Sequence, residues 1–256
     1  MRIIKKLIAS FCLVLVCQTP ILAAQFKVLL FTKTVGWHHE SIHDAVTAMR
    51  GLSKKHDFDL QWHEDATRFN DQFLSQFDAI VFINTTGNIF TEEQQSAFQR
   101  FIQSGKGFVG VHSASDTEYD WEWYGKLVGH YFQIHPLNQT AMLQKIDNAF
   151  PGMQSFRERH LWTDEFYNFQ PANIGSLNYI LTIDESTYAP KADWGGGNKS
   201  EGMGEFHPMA WYHEYDGGRS FYTALGHLPA IYYDQAFLDH LYGGIYWAAT
   251  GKGIEK

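Results

Sequence analysis

From residue 26 to residue 112, short runs rich in β-branched and aromatic residues alternate with segments of helical periodicity, and this alternation constrains the fold most. Strands separated by helices read as parallel, because parallel neighbours need a crossover long enough to hold a helix. Residues 26–32 (FKVLLFT) form the first candidate strand. From Ser41 the apolar residues Ile42, Ala45, Val46, Met49 and Leu52 fall at helical spacing, with Ser41 as N-cap and Asp44 three residues on. A short strand at 60–63, a short helix at 70–76 and a strand at 79–84 (AIVFIN) continue the alternation. Thr91-Glu92-Glu93-Gln94 is a capping box whose two acids sit at the positive end of a helix that reaches Ser104 and stops at Gly105. Residues 108–112 (FVGVH) are the next strand.

The second half is less regular. Candidate strands lie at 141–146, 161–169, 179–183, 209–215 and 219–223, and a last helix runs from about 234 to 248. The segment 184–208 holds Trp194-Gly195-Gly196-Gly197-Asn198 and fits no regular element, so it is a candidate lid. No repeat, linker or low-complexity tract divides the chain, and one domain over 25–256 is expected. Residues 1–24 have the layout of a secretory signal peptide: Arg2, Lys5 and Lys6, an apolar run from Leu7 to Cys17, then small residues up to Ala24. That predicts a periplasmic or secreted protein. No other run approaches the length of a membrane span. Removing 1–24 takes three of the 20 basic residues and none of the 28 acidic ones, which leaves a charge of −11 and argues against a nucleic-acid partner. Both cysteines, Cys12 and Cys17, go with it, so the mature chain has no disulfide, thiolate zinc site or cysteine nucleophile.

In an open parallel sheet, ligands bind beyond the carboxyl ends of the strands. Three successive loops there carry polar residues: Gly36-Trp37-His38-His39-Glu40-Ser41, Asn84-Thr85-Thr86-Gly87-Asn88, and Gly110-Val111-His112-Ser113-Ala114-Ser115-Asp116. Helix capping does not call for the histidines. Glu165 alternates with large apolar residues in Thr-Asp-Glu-Phe-Tyr-Asn-Phe and is expected to point inward, with Asp164 facing the other way. His227 follows a strand, and Gly226 before it lets backbone approach a ligand closely.

Asn84-Thr85-Thr86-Gly87, the run from Gly107 to Thr117, the run from Thr163 to Phe169, and His213 to Arg219 followed by Thr223-Ala224-Leu225-Gly226-His227 together resemble the ThuA-like (trehalose utilisation) family over residues 26 to the end. The resemblance implies an α/β, flavodoxin-like fold of the class I glutamine amidotransferase type: a mostly parallel sheet with helices on both faces and irregular β-rich additions in the second half. It also implies a role in catabolism of trehalose or other sugars, including 3-keto sugars. Where amidotransferases carry a nucleophilic cysteine at the strand-to-helix elbow, this chain has His112, so glutaminase activity is not expected.

His39, His112, Glu165 and His227 are the candidate catalytic residues. They are also the ligand types of a zinc or other divalent site, although no local spacing brings them together. The same four could instead form a metal-free acid/base set. Asn84, Thr85, Ser113, Asp116, Trp37, Trp121, His135 and His207 are candidate carbohydrate contacts, with Trp194 a further aromatic beside these loops. Plainer roles stay open for several: N-cap for Asp116, helix packing for Trp121, a turn for His135. An exported enzyme acting on a trehalose-type glycoside or keto-sugar is the expected function, by isomerisation, hydration or hydrolysis. A non-catalytic carbohydrate-binding module is the rival, and the oligomeric state is open.

Overall fold

Four strands predicted as parallel do line up side by side, at one end of a single sheet. The computed structural model describes residues 24–254, and the predicted signal segment, apart from Ala24, lies outside the described residues. In chain order the elements are β1 (Lys27–Phe31), α1 (Ile42–His56), β2 (Asp59–His63), α2 (Asp71–Leu74), β3 (Ala79–Ile83), α3 (Glu92–Gln103), β4 (Gly107–Val111), α4 (Glu122–Val128), β5 (Phe132–Ile134), β6 (Gln139–Lys145), β7 (Arg159–Asp164), β8 (Asn168–Phe169), β9 (Asn178–Asp184), β10 (Ala192–Asp193), β11 (Lys199–Ser200), β12 (Pro208–Tyr215), β13 (Gly218–Thr223) and α5 (Gln235–Thr250). Nine strands make a mixed sheet in the order β2-β1-β3-β4-β13-β12-β9-β6-β7. From β2 to β13 every pairing is parallel, and from β13 to β7 every pairing is antiparallel.

The parallel strands are covered on both faces, which is why β3 and β4 read as unbroken apolar runs and are buried at every position. Consecutive residues of β13 show the two covers. Phe221 packs on His240 of α5, while the Ser220 hydroxyl donates to Leu127 O of α4. The α3 capping box forms as expected, with Thr91 and Gln94 serving each other's backbone. Ser41 does not cap α1: its backbone is already helical and its hydroxyl points away to Gly226 O. Residues 161–169 are not one strand. The chain leaves the sheet at Asp164, and Asn168–Phe169 pairs with β5 in a separate two-stranded sheet. Within 184–208 the expected irregular loop contains a small hairpin, β10 paired with β11.

His240 is fully buried on α5, and among the described residues neither of its ring nitrogens has a hydrogen-bond partner. Burial alone pushes its pKa down to about 3. The neutral ring is therefore the folded form, and its contribution to stability is complete above the unfolded value of about 6.5 and is lost as pH falls toward 3. His240→Leu removes that proton linkage. The stability gain of the variant over wild type, from urea unfolding, is expected to widen by several kcal/mol between pH 7 and pH 4. A gain that stays constant with pH would contradict this account.

Candidate active site

The carboxyl ends of β1, β4 and β13 place three histidines above one edge of the sheet. His112 is the first residue after β4 and adopts a left-handed backbone, φ 51°. A non-glycine residue there costs of order 1 kcal/mol or more, and the surroundings hold it. Its carbonyl accepts the Tyr222 hydroxyl at 2.6 Å, and its Nδ1 lies 2.8 Å from Ala224 O. A carbonyl only accepts, so Nδ1 carries the hydrogen, and in the neutral ring Nε2 is left with a free lone pair. His39 arrives on the loop after β1 and His227 on the loop after β13. Glu165 comes from the far side of the sheet, on the segment that leaves β7 and folds back over the edge.

His39, His112, Glu165 and His227 each present one nitrogen or oxygen such that all four atoms lie within 4.8 Å of one another. His112 Nε2 is 3.5 Å and His227 Nδ1 3.3 Å from Glu165 Oε1, and the two nitrogens are 3.2 Å apart. His135 Nδ1 approaches the other carboxylate oxygen at 3.3 Å. Behind His39, the Ser113 hydroxyl sits 3.4 Å from Nδ1. The Tyr167 ring lies 4.2 Å from that of His112 and closes its other side.

The electrostatics favour the deprotonated forms of His39 and Glu165. Burial, reinforced by His112 and His227, holds the His39 pKa at about 2, so this imidazole stays neutral. Burial opposes ionisation of Glu165, yet its neighbours His112, His227 and His135 outweigh it and keep the carboxyl well below its usual range. For His227 the order reverses: burial lowers it, and Glu165 and Asp164 together raise it. His135 is lowered by burial.

The cluster opens into a cavity of about 840 Å³ lined by His39, Asp116, His135, Glu165 and His227 on its polar side and by Trp37, Phe132, Tyr167 and Trp194 among its aromatics. Trp37, 72% exposed, and Trp194, 53% exposed, stand at the mouth. Of the twelve residues singled out in the sequence, His39, His112, Glu165, His227 and His135 come together, and Asp116 and Trp37 share their cavity. Asp116 ends the turn after β4 and is not the N-cap of α4, a position held by Trp121.

The others lie elsewhere. Asn84 and Thr85 are buried beneath the site, bonded to Ser41 and Thr117, because the loop after β3 is consumed in pairing with the loop after β1 through Val35, Gly36 and Thr86. Ser113 stands behind His39. Trp121 packs on Trp123 and Phe98 and does not line the cavity. His207 is buried between Glu185 and Tyr167 O, where it fixes the base of the 184–208 segment. Gly226, φ 122°, is required by its backbone and by the Tyr232 hydroxyl, which a Cβ would meet at 2.9 Å; the close approach is to Tyr232.

Asp164 is the residue that the pattern of alternation misplaced. It does not face outward but is fully buried beside Glu165, because the strand ends there. Its carboxyl accepts from Gly226 N at 2.9 Å, His227 N at 3.2 Å, Leu228 N at 3.4 Å and Glu165 N at 2.9 Å. One side chain thus fixes the backbone of two members of the cluster. Tyr167 and Ser41 also went unmarked, since an apolar strand and a cap explained them locally.

Two solved structures share this fold over nearly their whole length. A putative ThuA-like protein from Bacteroides uniformis is 20% identical, covers 89% of this chain and 92% of its own, and superposes with a TM-score of 0.73. One from Parabacteroides merdae is also 20% identical, with 90% and 92% covered and a TM-score of 0.69. A β-galactosidase from Bacillus circulans sp. alkalophilus matches 89% of this chain with 31% of its own length, at 12% identity and a TM-score of 0.51. No curated protein is similar enough in sequence to count as a match. The family described as ThuA, trehalose utilisation, matches residues 27–248, all but the ends of the described chain, and the protein belongs to that family.

Proposed function

We propose that the protein is an exported enzyme acting on a trehalose-type glycoside or keto-sugar by isomerisation, hydration or hydrolysis, with a divalent metal ion, zinc by preference, held by His39, His112, Glu165 and His227. One observation carries this reading: four ligand-type atoms from four separate segments converge within 4.8 Å, at the wall of an aromatic-lined cavity of about 840 Å³. Three imidazoles and one carboxylate suit zinc, and the backbone carbonyl that fixes the His112 tautomer is the kind of outer partner that metal-binding histidines keep. The ion would polarise a carbonyl or hydroxyl oxygen of the sugar. The chain's own groups supply the rest. Neutral His39 and ionised Glu165 need no deprotonation to bind it, His135 holds the second Glu165 oxygen, and Trp37 and Trp194 offer flat faces to a pyranose ring. A glutaminase is not supported, because His112 stands at the elbow and residues 24–254 contain no cysteine.

Protein purified without an affinity tag from the exported fraction of its host is expected to carry close to one equivalent of a divalent ion, to have an intact mass starting near Gln25, and to convert at least one of trehalose, 3-keto-trehalose and related keto-glycosides. Chelator or acid should remove the ion and the activity while unfolding stays cooperative, since a chain of this size builds its core unaided. Less than about a tenth of an equivalent of metal, with activity that survives chelator, eliminates the ion and leaves a proton-transfer set. Among the described residues no helix is long and apolar enough to cross a membrane.

A further inference from the structure

Among the described residues five tyrosines are buried, and four of them, Tyr124, Tyr131, Tyr222 and Tyr232, donate their hydroxyls to backbone carbonyls. A buried phenol hydroxyl without a partner costs stability, so such pairing is the rule. Tyr167 is the exception. It is 3% exposed, and its hydroxyl has no hydrogen-bond partner among the described residues, yet that oxygen is not sealed in the interior. The residue lines the cavity, so the hydroxyl opens toward the space for a ligand. Packing, not a hydrogen bond, sets its aim. The ring centroid is 4.2 Å from that of His112 and 4.3 Å from that of Phe132, and the Tyr167 carbonyl accepts from His207 Nε2 at 2.7 Å. His207 is itself anchored by Glu185, 2.7 Å from its Nδ1.

We infer that Tyr167 touches the substrate, its hydroxyl donating a hydrogen bond to an oxygen of the sugar bound against the His112 side of the cavity. The inference rests on the carbohydrate reading above. A phenol has one hydrogen to give and an ordinary pKa of about 10, so at neutral pH it is a standing donor and no proton need change hands. The acceptor it calls for is a hydroxyl or carbonyl oxygen. Because the ring lies against His112, that oxygen is a near neighbour of the one that meets the Glu165 cluster. Sugars and keto-sugars carry oxygens on adjacent carbons and satisfy both demands. The bound sugar would then supply the partner that this hydroxyl, alone among the buried tyrosines described, does not find in the chain.

Tyr167→Phe keeps the ring, its contacts with His112 and Phe132 and the backbone link to His207, and removes only the hydroxyl. Metal content and Tm should stay those of wild type, since no group of the chain loses a partner. Trehalose and 3-keto-trehalose are the probes. Whichever of them wild type binds should bind the variant about tenfold more weakly, or be converted with a kcat/KM about tenfold lower. A hydroxyl with a purely structural role would do the reverse, lowering Tm and leaving the sugar untouched. A crystal structure of wild type with the bound probe gives a second reading that needs no variant, and should show a sugar oxygen about 2.5–3.0 Å from Tyr167 Oη. A variant within about threefold of wild type in both affinity and kcat/KM, or a bound sugar with no oxygen within about 3.5 Å of Oη, overturns the inference alone. A wild type that binds neither probe overturns the carbohydrate reading, and the inference falls with it.

Discussion

Glu165→Gln is expected to leave the fold standing and to empty the site of both metal and chemistry. The side chain is almost the same size, and what is lost is the single negative charge among three imidazoles. Loss of a direct ligand should exceed the roughly 10- to 100-fold that losing an outer partner costs in metal affinity, so metal content should fall below about a tenth of an equivalent. Turnover should fall by at least about 100-fold, the lower end of what a positioned acid or base contributes. His112→Ala should do the same, since it removes the nitrogen that Ala224 O keeps oriented toward the cluster. Affinity for an unconverted sugar should stay within about tenfold, about 1.4 kcal/mol, because the aromatic walls remain. Equilibrium metal binding and turnover, read side by side, decide it. If both variants merely weaken binding of a sugar that even wild type never converts, the chain is a carbohydrate-binding module.

The parallel half of the fold was legible because its signals are local. Unbroken apolar runs mark strands buried on both faces, and the α3 capping box announces its helix within four residues. The antiparallel half was legible as pieces but not as an order. Nothing near β13 states that it lies between β4 and β12, a pairing that joins residues more than a hundred positions apart. Short strands such as β5 and β8 carry too few residues for any period to show. The same limit governed the site. Histidines following strands could be read as facing the ligand edge, and His39, His112 and His227 do so. Polar residues in the loop after β3 looked equivalent, but that loop spends its groups on the loop after β1, so Asn84 and Thr85 never reach the cavity. Alternation along a strand correctly turned Glu165 inward and then failed at its neighbour. It assumes that the strand continues, whereas Asp164 ends it by accepting the amide of Glu165.

Asp164→Ala should for that reason be the most damaging substitution of a residue that does not touch the ligand. Four backbone N–H groups, at Glu165, Gly226, His227 and Leu228, converge on one buried carboxyl, and among the described residues none of them donates to another acceptor. Each buried donor left without an acceptor costs about 1–3 kcal/mol, and water entering the space vacated by the carboxyl recovers part of it. The sum expected is about 3–5 kcal/mol, a fall in Tm of roughly 10 °C for a chain of this size. The same change frees the loop that carries His227 and the segment that carries Glu165, so metal affinity should fall at least tenfold although no ligand has been altered. Asp164→Asn separates the two effects. It keeps the volume and one acceptor oxygen but turns an NH2 group against converging N–H donors, so a clear part of the loss in stability and metal binding should persist. A stability change under about 1 kcal/mol in the alanine variant, with full metal content, would show that the loop after β13 holds its shape without Asp164.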